Sequence, residues 1–369
     1  MPEEKPLILL AAGGTGGHLF PAEALAIELV NRGCRAALVT DERIASGDWA
    51  KRFPGEVYTL TAGTVTGTGL VAKAMGVLRL AKGTLEARAL IARLKPGVVV
   101  GFGGYPTVPP VLAASMKGIP TILHEANAVM GRANRFLAKR ATLIATGFPV
   151  PHPEWPEKTV FSGNPVRRPV LLVAEGEYHP PSEDGVLNLL VFGGSLGARV
   201  MSEVVPAAMQ RISPELRARL AIVQQAREED VNRVSRIYDA LRVKHEIAPF
   251  FSDLPHRIAH AHLVIARAGA MTVTELSVIG RPAILVPLPG SLDQDQATNA
   301  AVIVAAGGAL AVPQSAFTPV SLAEILERKM SNPEGLAEMA AKAKSIGIAD
   351  AASRLAGHVF SVLSKRASG

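Results

Sequence analysis

The chain has 369 residues, 48% of them apolar and 19% charged, a formal net charge of +7 and a single cysteine. This length exceeds one ordinary core and suits two domains of roughly 150–200 residues, and the apolar fraction excludes a disordered or fibrous chain. With Cys34 alone no internal disulfide can form, so a reducing compartment is expected.

Glu3 and Glu4 lead directly into an apolar run, which does not read as a cleavable signal, so the mature chain is expected to start there. The uncharged stretches 96–116 and 296–323 are broken by prolines and glycines and are not expected to span a membrane. In chain order, apolar runs at 7–12, 36–40, 57–60, 98–102, 121–125, 143–146 and 159–162 predict strands. A second series follows at 187–192, 221–224, 243–247, 263–266, 283–286 and 309–312. Their alternation with helical patterns and short loops predicts an α/β fold: two Rossmann-like domains with parallel sheets, facing a shared cleft. The boundary is expected near Gly163-Asn164-Pro165, giving domains 1–166 and 167–349, with the last helical pattern, about 350–369, crossing back to the first domain.

Two glycine-rich turns of one design stand about half a chain apart. Gly13-Gly14-Thr15-Gly16-Gly17-His18 follows the first strand, and Gly193-Gly194-Ser195-Leu196-Gly197-Ala198 follows the run 187–192. Strand, glycines and then helix is how an α/β layer presents bare N–H groups and a helix N-terminus to an anion or polar ligand. Asp41 lies where a dinucleotide-binding unit carries its ribose carboxylate, but the third glycine of that fingerprint would fall at Leu19, and His18 and Pro21 replace its small residues. No nicotinamide or flavin cofactor is therefore expected.

His18 opens the first helix, where its imidazole either donates to a substrate hydroxyl or acts as a base, or simply stabilises the loop. Gly101-Phe102-Gly103-Gly104-Tyr105-Pro106 and His124-Glu125-Ala126-Asn127 leave the next strands at the same carboxyl edge, the edge where open α/β sheets bind ligands. Glu125 is a candidate acid or base and Asn127 a hydroxyl binder, unless both merely pin the loop. In the second half, Arg267-Ala268-Gly269-Ala270-Met271-Thr272-Val273-Thr274-Glu275 joins a strand to a helix. Its small residues admit a phosphate to the helix N-terminus, and Glu275 can accept from both hydroxyls of a ribose, or stand as a solvated helix residue.

The ordered set of 13–18, 101–105, 124–127, Gly163-Asn164-Pro165-Val166-Arg167, 193–198, 268–275 and Gln296 with Asn299-Ala300 resembles the MurG family of bacterial peptidoglycan glycosyltransferases and covers most of the chain. The resemblance implies a GT-B hexosyltransferase that moves N-acetylglucosamine from UDP-N-acetylglucosamine to the C4 hydroxyl of N-acetylmuramic acid in undecaprenyl-pyrophosphoryl-MurNAc-pentapeptide (lipid I), forming lipid II. It thereby implies roles in cell-wall synthesis, cell shape and division. Carried over by position, Arg167, Ser195, Phe251, Ala270, Met271, Thr272, Val273, Thr274 and Glu275 would bind the nucleotide and phosphates. Thr15, Gly16, Gly17, Asn127 and Gln296 would hold the sugar, and Gly103, Gly104 and Tyr105 would face the acceptor. Phe251 replaces a smaller aliphatic residue, which a backbone contact to uracil tolerates. The displacement implied is inverting, with His18 first and Glu125 second as base.

Asp293-Gln294-Asp295 reads as the D-x-D that holds a divalent ion in many glycosyltransferases, but it abuts Gln296, and hydroxyl contacts without an obligatory metal are expected. Between Lys73 and Arg140 stand eleven Lys or Arg against Glu86 and Glu125. Leu70, Val71, Met75, Val77, Leu78 and Leu80, interleaved with Lys73, Arg79 and Lys82, fit either an ordinary buried helix with a basic face or the boundary of an anionic leaflet; the clustered charge favours the leaflet. The expected station is peripheral, on the cytoplasmic face of the cell membrane, with no nucleic-acid partner. Two rivals are a UDP-N-acetylglucosamine 2-epimerase and a non-catalytic nucleotide-sugar-binding protein.

Overall fold

The computed structural model describes residues 5–14, 16–60, 70–194, 197–291 and 294–367, with the side chains of 70–73 and 367 excepted. The chain divides into unit 1, Met1–Arg167 with Ala349–Gly369, and unit 2, Arg168–Ile348.

Unit 1 holds β1 (Leu7–Ala11), β2 (Arg35–Thr40), β3 (Glu56–Thr59), β4 (Val98–Gly101), β5 (Thr121–Glu125), β6 (Leu143–Thr146) and β7 (Thr159–Phe161). They form one parallel sheet in the order β3-β2-β1-β4-β5-β6-β7. Unit 2 holds β8 (Leu187–Phe192), β9 (Leu220–Gln225), β10 (Lys244–Ala248), β11 (Leu263–Ala266), β12 (Ala283–Leu285) and β13 (Ala309–Ala311), parallel in the order β10-β9-β8-β11-β12-β13. Both orders reverse direction beside their first strand, and that switch point is where an open parallel sheet leaves a crevice for ligand.

The central strands are continuous apolar runs because helices cover both sheet faces. Along β1, Ile8 and Leu10 enter one core with Leu25, Leu29, Leu355 and Val359, whereas Leu7 and Leu9 enter the other with Leu90, Ile91 and Val111. Leu355 and Val359 come from the helix Ala351–Ala367, which packs on the helix Gly16–Asn31. Arg366 donates to the carbonyls of Pro96 and Gly97, and a Cβ on Gly97 would meet Leu363 at 2.5 Å, so this tail is seated closely against the start of β4.

In unit 2, Arg281 sits behind the sheet, 3% exposed. Its guanidinium donates to the carbonyls of Ala259, Ile279 and Gly280 and stacks on the ring of Tyr178. Those carbonyls close the helices Leu254–His260 and Ala270–Ile279, so one buried cation answers two helix C-termini.

Candidate active site

In unit 1 the loops after β1, β4 and β5 are held by close backbone contact and by buried polar side chains. Gly14 has φ +87°, its N–H donates to Asp41 Oδ2 at 3.2 Å, and its carbonyl accepts from Arg43. Asp41 Oδ1 accepts from Ile44 N, so both oxygens of the strand-end carboxylate serve backbone donors. Asp41 therefore anchors the glycine loop. A Cβ at Gly13 would meet Pro106 at 2.4 Å, so the first loop packs directly on the second. Thr107 ties them again, donating to Ala11 O and Gly103 O.

His18 lies between these loops. Its Nδ1 is 3.1 Å from the carbonyl of Gly13, where it donates, which leaves the Nε2 lone pair as the acceptor. Gly103 and Gly104 have φ of +93° and +76°, and a Cβ at Gly103 would stand 3.2 Å from Nε2, so glycine is required there by conformation and by the imidazole's approach. Burial lowers the His18 pKa below its usual 6.5, partly opposed by the Glu125 charge and the Gly13 carbonyl, and the ring is neutral at physiological pH. Tyr105, half-exposed, follows Gly104 and opens the short turn Tyr105–Thr107.

Glu125 closes β5 and is 5% exposed. Oε1 accepts from Asn127 N at 3.0 Å and Asn127 Nδ2 at 3.2 Å; Oε2 accepts from Gly131 N at 2.9 Å and Asn134 Nδ2 at 2.8 Å. These four donors tie the carboxylate to the loop that carries Asn127 and to the helix that follows it. The neighbouring His124 donates from Nε2 to Gly163 O at 3.2 Å, and burial pushes its pKa down to about 4. Asn164 Nδ2 donates to Ala126 O at 3.0 Å, so Gly163-Asn164-Pro165 braces the Glu125 loop from behind. Arg167 stacks on Phe20, its guanidinium 3.8 Å from the ring centre, on the helix that carries His18 and also Gly16 and Gly17.

On the same unit the helix Leu70–Leu94 exposes Met75, Val77, Leu78 and Leu85 together with Arg79 and Lys82. Leu80, by contrast, turns into the core against the helix Val108–Met116. The side chains of Leu70, Val71 and Lys73 lie outside the described residues, as do Thr15, Ser195 and Asp293. No helix among the described residues is long and apolar enough to cross a membrane.

In unit 2 the loop after β8 turns at Gly194, φ +89°, and Gly197, φ +66°, and a Cβ at Gly193 would lie 2.3 Å from Ala198 N. The loop after β11 enters the helix Ala270–Ile279 through Gly269, with no side chain capping that N-terminus, so its first N–H groups suit an anion. Glu275 lies one and a half turns in and is buried. Val273 faces the core and the Thr274 hydroxyl donates back to Ala270 O, so these two and the largely buried Ala270 and Met271 offer backbone. Thr272 is the more open side chain of the turn.

Arg267 is buried, and burial lowers its pKa. It donates to Val286 O, Pro287 O and Gln314 Oε1, which braces the β11 loop against the β12 loop. Gln296 Oε1 accepts from Ala268 N and Leu288 N, joining the same loops and leaving its Nε2 as the donor. Asp295 Oδ1 accepts from Gln296 N. Among the described residues no group of three or more His, Cys, Asp or Glu is arranged to hold a metal. Phe251, 8% exposed, follows β10 with Arg257 stacked 4.2 Å from its ring centre. The braces Asp41, Asn134, Asn164 and Arg267 are assigned no ligand or catalytic role by the sequence. Their only signal is a polar residue at or just past the end of an apolar strand or on a following turn.

Residues 8–146 match the glycosyltransferase family 28 N-terminal domain and residues 188–355 its C-terminal domain. The UDP-N-acetylglucosamine--N-acetylmuramyl-(pentapeptide) pyrophosphoryl-undecaprenol N-acetylglucosamine transferase of Rhodopseudomonas palustris is 53% identical over 357 residues, 96% of this chain and 97% of the relative. The crystal structure of Acinetobacter baumannii MurG superposes with a TM-score of 0.78 at 30% identity, covering 97% of this chain and 100% of that one. A putative UDP-N-acetylglucosamine 2-epimerase from Listeria monocytogenes reaches a TM-score of 0.70 at 15% identity over 98% of each chain, a likeness of fold alone. The chain belongs to glycosyltransferase family 28 and, within it, to the MurG family.

Proposed function

We propose that this protein transfers N-acetylglucosamine from UDP-N-acetylglucosamine to the C4 hydroxyl of the N-acetylmuramyl residue of lipid I, forming lipid II in peptidoglycan synthesis. The observation that carries the reading is the near-full-length match to the Rhodopseudomonas transferase at 53% identity. The acceptor hydroxyl attacks the anomeric carbon in a single displacement. The C4 oxygen forms the new β-1,4 bond as the bond to the diphosphate breaks, and the hydroxyl proton passes to a base. His18 is that base: the Gly13 carbonyl holds Nδ1–H, so Nε2 carries the lone pair, and burial keeps the ring neutral. Glu125, with both oxygens on loop donors, positions Asn127 instead.

UDP departs as an anion. The uncapped helix Ala270–Ile279 and the Arg167 guanidinium supply positive potential, Ser195 and Thr272 bond the phosphates, and Glu275 accepts from the ribose. Phe251 offers backbone to uracil, while Thr15, Gly16, Gly17, Asn127 and Gln296 hold the sugar. Gly103, Gly104 and Tyr105 face the acceptor. No obligatory metal takes part. Met75, Leu78, Arg79 and Lys82, with Leu70 and Lys73, rest the enzyme on the anionic cytoplasmic leaflet, since its acceptor is lipid-linked. A 2-epimerase is disfavoured because it needs free acid and base carboxylates, and Asp41 and Glu125 both serve backbone donors.

Incubation of labelled donor with a lipid I analogue in excess EDTA is expected to yield labelled disaccharide at the full rate. Epimerised sugar, or donor binding without turnover, selects one of the rival functions, and a rate restored only by Mg²⁺ or Mn²⁺ refutes the metal-free reading. Glu275→Ala is expected to weaken the donor by roughly 2–4 kcal/mol while sparing the acceptor's KM; unchanged donor affinity by calorimetry removes Glu275 from the ribose.

The base must be unprotonated to act, so kcat/KM should rise with pH through the His18 pKa, and because that pKa is lowered the rise should be complete below neutrality. His18→Gln should lose this acid limb and about 10²–10⁴-fold in kcat; a variant that keeps the limb assigns the proton elsewhere. Replacing Lys73, Arg79 and Lys82 by Ser should cost about 1 kcal/mol per charge in binding to anionic vesicles and leave turnover of a short-chain soluble acceptor intact. Equal co-sedimentation of mutant and parent takes the patch out of the account.

A further inference from the structure

The hydrogen-bonded ladder of β9 ends with Gln225 opposite Ala248 of β10. Beyond that point the backbones diverge into loops, and the Gln225 side chain continues the pairing. Its Oε1 accepts from Gly193 N at 3.0 Å on the β8 side, and its Nε2 donates to Pro249 O at 3.1 Å on the β10 side. The amide thus acts as one more peptide unit of the middle strand, 5% exposed, bonded to both neighbours past the end of the sheet. Its orientation follows from its partners, because a donor stands on one side and an acceptor on the other.

Unit 1 uses the same device with different chemistry. Asp41, just past β2, receives Gly14 N, but its second partner is also a donor, Ile44 N, so a carboxylate serves. Between Gly193 and Pro249 a carboxylate would face a carbonyl, and only an amide satisfies both. The two loops joined in this way carry Ser195 and Phe251, the phosphate and uracil contacts of the functional reading above. The far end of the second loop is also fixed, by Arg257, which bonds Asp253 and both oxygens of Glu246 while stacking on Phe251.

We infer that Gln225 is a positioning residue for the donor: its amide sets the separation of the Gly193 and Pro249 loops, and hence of the sites that take the phosphates and the pyrimidine base of a uridine diphosphate. The inference rests on the donor reading. Gln224, one residue earlier, points the other way, accepting from Tyr238 Oη at 2.5 Å and donating to Met201 O, and so serves the core without touching either loop.

The test uses the full chain, with UDP as calorimetric probe and steady-state kinetics on both substrates. Gln225→Met should raise the UDP dissociation constant and the KM for UDP-N-acetylglucosamine about tenfold, or ~1.4 kcal/mol. The acceptor's KM and kcat at saturating donor should hold. Gln225→Glu, which keeps the Gly193 bond but sets a carboxylate against Pro249 O, should weaken UDP at least as much, and it carries the test if Gln225→Met does not fold. Gln224→Met should lower the melting temperature with no donor-specific change in KM. Parental UDP affinity in a folded Gln225 variant overturns the inference. So does a profile in which both KM values and kcat shift together. If the parent chain itself does not bind UDP, the donor assignment falls first and the role of Gln225 with it.

Discussion

Every loop of the candidate site leaves the carboxyl end of a parallel strand, and there the sheet stops supplying hydrogen-bond partners. Backbone groups freed from a ladder and partly screened from water cost about 1–3 kcal/mol each if left unmade. Both units meet that demand with side chains stationed at or just beyond the strand ends: Asp41 for Gly14, Glu125 for Asn127 and Gly131, Gln225 for Gly193 and Pro249, and Arg267 for Val286 and Pro287. The glycine loops are therefore anchored by a buried polar layer in addition to their close packing, as where Gly13 meets Pro106.

That layer also decides the electrostatics. A carboxylate with four donors is a fixture, whereas the His18 imidazole has one nitrogen on a carbonyl and the other close to the glycine turn at 103. Glu125 and His18 lie on neighbouring loops of one unit, yet Glu125 is held by backbone and amide donors and His18 by a carbonyl. The glycines at 103 and 104 belong to the same logic, since any side chain at either would demand a strained φ and one at 103 would also crowd the imidazole.

The strands were legible because helices cover both faces of each sheet, so apolar runs such as 187–192 and 263–266 stand out without alternation. The glycine turns were legible because Gly13 and Gly193 meet a neighbour that no Cβ could accompany and Gly103 takes a φ of +93°. The braces were not. Asn134 and Asn164 bond backbone and side-chain atoms of another loop, and Gln225 bonds two strands at once; a buried amide leaves no period in a sequence, and its partners lie far along the chain. Val273 and Thr274 show a related gap. The motif marks them, but only the helix phase reveals that one side chain turns to the core and the other to its own backbone.

The helix Ala351–Ala367 contributes Leu355, Ala356, Val359 and Val362 to the core beneath β1 and β4, although unit 1 is otherwise complete at Arg167. On the ribosome, unit 2 is a single uninterrupted stretch and can close as soon as it emerges, whereas unit 1 must wait for residues 349–369, which are made after all of unit 2. At about 5–20 residues per second the delay is on the order of ten to forty seconds. Over that interval one side of its sheet has the helix Gly16–Asn31 but lacks the rest of its cover, so the order of synthesis makes the first half of the chain the last to mature.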